Sequence, residues 1–145
     1  MVRFKMSMMS FLLGGVIYSL CEILFRGYTH WSMTLTGGFC FLIMYWHFTN
    51  NPYENIFRKC LFGAVVITTL EFIAGCIVNL WLGWSIWDYS SLQLNFLGQI
   101  CLPFTVIWYG ISFFGVILSK FLNKQLNVEI AQKKRIPIGI GTAKA

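Results

Sequence analysis

The sequence predicts an all-α integral membrane protein, a bundle of four transmembrane helices. Three observations carry this. Of 145 residues, 57% are hydrophobic and only 11% are charged, against about a quarter charged in soluble domains. A globule of this size has too much surface to hide so many apolar groups. The apolar residues are also gathered into four runs of bilayer-spanning length, separated by polar punctuation. Finally, the basic residues flank those runs rather than interrupt them. An ordinary soluble enzyme is excluded on these grounds.

The first run covers about residues 6–25 and follows Arg3 and Lys5. It carries Glu22 and ends without a small-x-small site, so it reads as a retained anchor, not a cleaved signal. The link Arg26 to His30 is so short that the second run, about 31–48, must return antiparallel to the first. The next link, Thr49 to Lys59, contains Asn50, Asn51 and Pro52, a strong turn signal. The third run covers about 60–82. The link after it, Gly83 to Asn95, holds no basic residue, and its Trp84, Trp87 and Tyr89 suit the headgroup layer. The fourth run covers about 96–119, with Pro103 inside it, where a kink is expected. Residues 120–145 form a basic tail. Its first part, Lys120 to Gln132, suits an extension of the last helix, and its end, from Lys133, has the composition of a disordered segment.

Orientation follows from charge. Four spans put Arg3, Lys5, Arg58, Lys59, Lys120, Lys124, Lys133, Lys134, Arg135 and Lys144 on one side and only Arg26 on the other. The positive-inside rule then places both termini in the cytoplasm, in a multi-pass protein of the plasma membrane. The net charge of +6 is spent on topology, so nucleic acid is not an expected partner; the lipid bilayer is.

Polar groups inside apolar runs mark the candidate sites. Glu71 falls near the middle of the third run, where a carboxylate costs about 2.5 kcal/mol or more to insert. It must face other helices or a watery cavity. No Lys or Arg lies at that depth in the four runs, so Glu71 is expected to be neutral. Gly63, Thr68, Glu71, Gly75 and Asn79 share roughly one face, small and polar as a helix-contacting face should be. Thr105 and Tyr109 of the fourth run lie at similar depth and are the expected partners of Glu71. At the outer end, Glu22 and Arg26 are four residues apart and so share a helix face, which Gly15 and Ser19 continue inward as a small-residue contact. Asp88 also needs a cation there, so a cluster of Glu22, Arg26 and Asp88, with Asn95 close by, is expected.

Ser91, Gly98, Thr105, Ser112 and Ser119 recur every seven residues, as in a tightly packed seam. Gly14, Gly15, Gly37 and Gly38 read as packing glycines. The five cysteines form no C-x-x-C pair and read as buried thiols. His30 and His47 are isolated and read as interfacial residues. The sequence contains no P-loop and no arguable catalytic triad. No cofactor, metal or enzymatic activity is expected.

Three motifs carry a resemblance: Thr69-Leu-Glu-Phe-Ile-Ala-Gly, then Trp87-Asp-Tyr-Ser, then Asn95-Phe-Leu-Gly-Gln-Ile-Cys-Leu-Pro-Phe. With Glu22-Ile-Leu-Phe-Arg-Gly-Tyr-Thr-His-Trp-Ser-Met and Trp108, they make the chain, from about Leu12 to Ser119, similar to short members of the bacterial putative ABC-transporter type IV permease family. The resemblance implies a transport role with no assigned substrate. Its matching positions are Glu71, Trp87, Asp88, Tyr89, Ser90, Asn95 and Gly98. A separate ATPase subunit is the candidate partner that the resemblance implies, though the residues themselves point to none; four helices are few to enclose a path, so a homo-oligomer or a complex with another membrane subunit is expected.

Two other readings stay open. The small size, apolar character and basic tail also suit a non-transporting protein, a holin-like pore former or a membrane scaffold. Asp88 and Asn95 in the outer link suit, more remotely, a membrane enzyme acting on lipid.

Overall fold

The computed structural model of the chain describes residues 2–135. Four long α-helices dominate it: α1 (Val2–Arg26), α2 (Trp31–Asn50), α3 (Ile56–Gly75) and α4 (Leu102–Arg135). A π-helical turn, Cys76–Trp81, continues α3. Two short antiparallel strands, β1 (Asn95–Phe96) and β2 (Ile100–Cys101), precede α4. The segment from residue 136, which holds most of the expected disordered end, lies outside the described residues.

The helix ends follow local chemistry. The Gly27 N–H bonds back to the Ile23 carbonyl at 2.8 Å and closes α1. His30 is the N-cap of α2, and its Nδ1 accepts from the Ser32 N–H. Asn55 caps α3, with Oδ1 accepting from the Phe57 N–H at 2.9 Å. Each cap satisfies an amide that the first helical turn cannot.

One boundary corrects the sequence reading. The fourth helix starts at Leu102, not Phe96. Leu97 and Gly98 both adopt positive φ, and the Gln99 N–H closes on the Phe96 carbonyl at 3.0 Å. A helix cannot pass through that backbone, and the turn instead joins two strands. Pro103 is therefore the second helical residue. There its missing N–H has no helical partner to lose, so it starts the helix and does not kink it.

Packing explains the hairpins. α1 and α2 lie antiparallel along their length, from Trp46–Ser7 at one end (3.0 Å) to Ser19–Thr34 at the other (2.7 Å). A Cβ on Gly14 would sit 2.5 Å from the Gly37 carbonyl oxygen, so only glycine allows this approach. On α3, Gly63 lies against Ser112, Thr68 bonds Thr105 at 3.1 Å, and Gly75 lies against Gln99. The small polar stripe of α3 thus faces α4 and the strand before it. The seven-residue seam acts as a helical seam only from Thr105 to Ser119, since Ser91 and Gly98 precede α4. Ser112 and Ser119 within it are buried.

The start of α1 and the last part of α4 lie together: Lys5 of α1 bonds Glu129 of α4 at 3.0 Å. The exterior is apolar, with Leu12, Val16, Phe39, Val65, Val106 and Ile117 exposed, while Ser10, Glu71, Gln99 and Ser112 are buried. That distribution inverts the soluble pattern and suits a lipid solvent. Helix α1, α3 with its π turn, and α4 are each long and apolar enough to cross a membrane. α2 is of spanning length, 20 residues, and half of its residues are buried among its neighbours.

Candidate functional site

Two polar centres occupy the bundle, one at mid-depth and one at the end that carries the α1–α2 link.

The mid-depth centre is built on Glu71, which is only 3% exposed. It follows Ile56 by fifteen residues and precedes Trp81 by ten, roughly 22 Å and 15 Å along the helix axis. Its Oε1 accepts from the Tyr18 hydroxyl of α1, and its Oε2 accepts from the Trp108 indole N–H of α4 at 2.8 Å. The two donor rings are stacked, with centroids 5.4 Å apart. One carboxyl group therefore joins three helices. A cavity of about 110 Å³ adjoins the site, walled by Tyr18, Trp108, Cys40, Phe41 and Met44. Among the described residues, no Lys or Arg pairs with Glu71.

This differs from the sequence expectation in its partners. Thr105 donates to the Cys101 carbonyl at 3.2 Å and bonds Thr68, and Tyr109 packs beside the core. Neither bonds Glu71. Asn79 does not join the site either. Its amide donates to the Trp87 carbonyl (3.0 Å) and to Gln99 Oε1 (2.8 Å), and its Oδ1 accepts from the Ile86 N–H (2.7 Å). The π turn of α3 presents it to the outer link. Tyr18 and Trp108 were legible in principle, because a Tyr or Trp inside a span carries a polar atom that needs a buried partner.

The outer centre holds Glu22 and Arg26. Arg26 pairs with Glu22 Oε1, Thr29 donates to Glu22 Oε2 at 3.1 Å, and Arg26 also donates to the Ile86 carbonyl at 3.1 Å. Its guanidinium lies over Tyr28 and Trp87, 5.3 and 5.9 Å from the ring centroids, as cation–π contacts do. Asp88 is not a third member. Its Oδ1 accepts from the Ser90 hydroxyl and, at 2.8 Å, the Ser90 N–H. These bonds, led by the hydroxyl, hold the Asp88 carboxyl below its ordinary range. The Asp-x-Ser spacing is an Asx turn, a signal present in the sequence.

The matching motif residues share one scaffold. Trp87 is buried, and its indole donates to the Gln99 carbonyl at 2.9 Å. The Tyr89 N–H donates to the Gly98 carbonyl at 2.8 Å. Asn95 Oδ1 accepts from the Gly98 N–H at 3.1 Å, while its amide donates to the Leu92 carbonyl at 2.7 Å. A Cβ on Gly98 would meet Asp88 Oδ1 at 2.6 Å. Tyr89 stacks on Phe104 at 4.8 Å, and Phe104 leads to Trp108 at 6.5 Å. A row of rings thus runs from the outer link to the donors of Glu71. Burial pushes the Tyr89 phenol above its ordinary value. Gln99, to which the sequence reading assigned no role, is the hub of the link: its Oε1 accepts from Asn79, its carbonyl from the Trp87 indole, and its amide donates to the Leu97 carbonyl.

His47 bonds Glu54 at 2.8 Å and stacks on Phe62 at 3.8 Å. No group of His, Cys, Asp and Glu that could hold a metal occurs among the described residues.

An apolar exterior around buried polar centres, with three helices long and apolar enough to cross a bilayer, defines a helical membrane protein. The family model described as Putative ABC-transporter type IV matches residues 4–141, and the chain belongs to that family. No curated protein and no solved structure matches it.

Proposed function

We propose that the chain is a permease or permease-like subunit of a membrane transporter, with no enzymatic activity of its own. Glu71 is its working group. The observation that carries this reading is a mid-depth carboxyl with no basic partner among the described residues, held by one donor from α1 and one from α4. Intramembrane carboxyls of this kind commonly serve proton or cation pathways. Family membership supports a transport role. Four helices are few to enclose a path, so the working form is a homo-oligomer or a complex with another membrane subunit. A separate ATPase subunit is the partner that the family description suggests. All four helices cross the plasma membrane, with both termini cytoplasmic. In a background lacking the native cysteines, external labelling should reach introduced cysteines at Ser85 or Ser91 and miss Asn51 and Gln125. Labelling of Asn51 from outside would reverse the orientation.

A second reading has its own observation. Both oxygens of Glu71 are already engaged, as a purely structural clamp in a scaffold would require. Proteoliposomes containing a pH-sensitive dye and challenged with a panel of cationic solutes separate the two. Wild type should show solute-coupled proton movement. Glu71→Gln should fold, because its amide oxygen can face Trp108 and its NH₂ can face the Tyr18 oxygen, but the coupled movement should vanish. Movement in wild type that persists unchanged in the variant favours the scaffold role for Glu71.

A further inference from the structure

The end of the bundle that carries the α2–α3 link and the last turns of α4 holds a basic groove that the transport reading does not use. It lies between the α2–α3 link and α4 and measures about 540 Å³. Lys59, Lys120 and Lys124 line it with Asn123 and Asn127, and no carboxylate does. The α4 members recur at helical spacing, so they form one row along its wall. Lys59 differs from the other two lysines. It is 3% exposed, whereas Lys120 and Lys124 are exposed. Its ammonium has three N–H donors, and among the described residues its one hydrogen-bond acceptor is the Pro52 carbonyl at 3.4 Å. The Phe48 ring lies 5.9 Å away. The Glu54 carboxylate bonds His47 and acts on Lys59 only through space, without a hydrogen bond to it. A buried charge with so few partners calls for a counterion.

We propose that this groove binds the phosphate group of an anionic phospholipid, with Lys59 as the buried anchor and Lys120 and Lys124 at the rim. A phosphodiester presents two non-bridging acceptor oxygens to the Lys59 donors that remain free, and its single negative charge offsets the buried ammonium, while Lys120 and Lys124 favour an anionic over a zwitterionic headgroup at the rim. A lipid fits better than free phosphate because the groove sits at the end of apolar helices. Val116 and Val128 line it, and Ile117 and Phe121 are exposed beside it on α4, where acyl chains would lie. Basic pockets between helix ends are known to take acidic headgroups.

Native mass spectrometry of the full chain in detergent tests this, using phosphatidylglycerol, phosphatidylcholine and inorganic phosphate as probes. Phosphatidylglycerol should bind wild type about tenfold more tightly than phosphatidylcholine. Lys59→Met should abolish that preference. Lys120→Gln/Lys124→Gln, at exposed positions that folding does not need, should reduce it severalfold. Arg58→Gln, outside the groove, should keep it. Equal binding of the two lipids would overturn the proposal, as would a preference that survives both groove variants or falls equally in Arg58→Gln. Displacement of the lipid by millimolar inorganic phosphate would overturn the lipid assignment.

Discussion

Glu22 and Glu71 are both buried carboxyls, yet the chain treats them in opposite ways. Glu22, near the end of α1, receives a guanidinium one helical turn away and a hydroxyl from the following link. Glu71, at mid-depth in α3, receives two neutral donors from two other helices. The difference follows from depth. Near the headgroups a cation costs little to bring in, because the Arg26 guanidinium also reaches a backbone carbonyl and two aromatic faces. At mid-depth a second charge would add its own insertion cost. Tyr and Trp donors satisfy the carboxyl without one and carry large apolar rings into the core. The outer pair is a local contact within one helix. The inner one ties both hairpins together.

The contrast can be broken most forcefully at Glu71. Replacement by Ala leaves the Tyr18 hydroxyl and the Trp108 N–H without an acceptor, at about 1–3 kcal/mol each. A loss on the order of 4 kcal/mol is expected in unfolding experiments in mixed micelles. Adding Tyr18→Phe and Trp108→Phe should recover part of it, since the orphaned donors are then gone.

At the outer end, Arg26→Ala strands Glu22 beside one hydroxyl. The expected loss is about 2 kcal/mol, below the range for fully buried pairs because this pair is partly exposed. Glu22→Gln in the same chain should restore most of it, a coupling that a double-mutant cycle reads directly. Recovery there by a single partner change, against the double change needed at Glu71, would confirm a local pair and a three-helix centre.

How far this was legible in the sequence also differs between the two centres. The first three helices could be read because each apolar run ends at a polar break: Arg26 to His30, then Asn50 to Pro52, then Gly83. The depth of Glu71 followed from its place in its run. Its partners did not, because depth alone cannot say which side of α4 turns inward; Thr105 and Tyr109 flank Trp108 in sequence but point elsewhere. The start of α4 was misread because Phe96 and Leu97 are as apolar as the helix that follows, with only Gly98 and Gln99 breaking the apolar run between them. Hydropathy does not register that Leu97 and Gly98 adopt positive φ. Asp88 was matched to Arg26 by counting charges, when a serine two residues away satisfies it.

Two smaller effects sharpen the comparison. Trp108→Phe keeps the ring stacking on Tyr18 and removes one donor to Glu71. About 1 kcal/mol should be lost, and far-ultraviolet circular dichroism should not change. The smallest effect concerns Asp88, which is exposed and held by Ser90. Its carboxyl sits below the ordinary Asp value of about 4. Its contribution is therefore present above that value and lost as pH falls through the lower value of the folded link. Acid titration should move the fluorescence of the neighbouring Trp87 in wild type and not in Asp88→Asn, with the helices intact.

The indole N–H resonance of Trp108 tests the inner centre most directly. In protein labelled with ¹⁵N-tryptophan, the chain's six tryptophans give six indole signals, and Trp108→Phe identifies the one of interest. A carboxyl acceptor should place that signal downfield, since a hydrogen bond to the carboxyl deshields the proton. Glu71→Ala should move it strongly upfield, and Glu22→Gln should leave it in place. A Trp108 signal unmoved by Glu71→Ala, or moved equally by Glu22→Gln, would contradict the three-helix carboxyl centre.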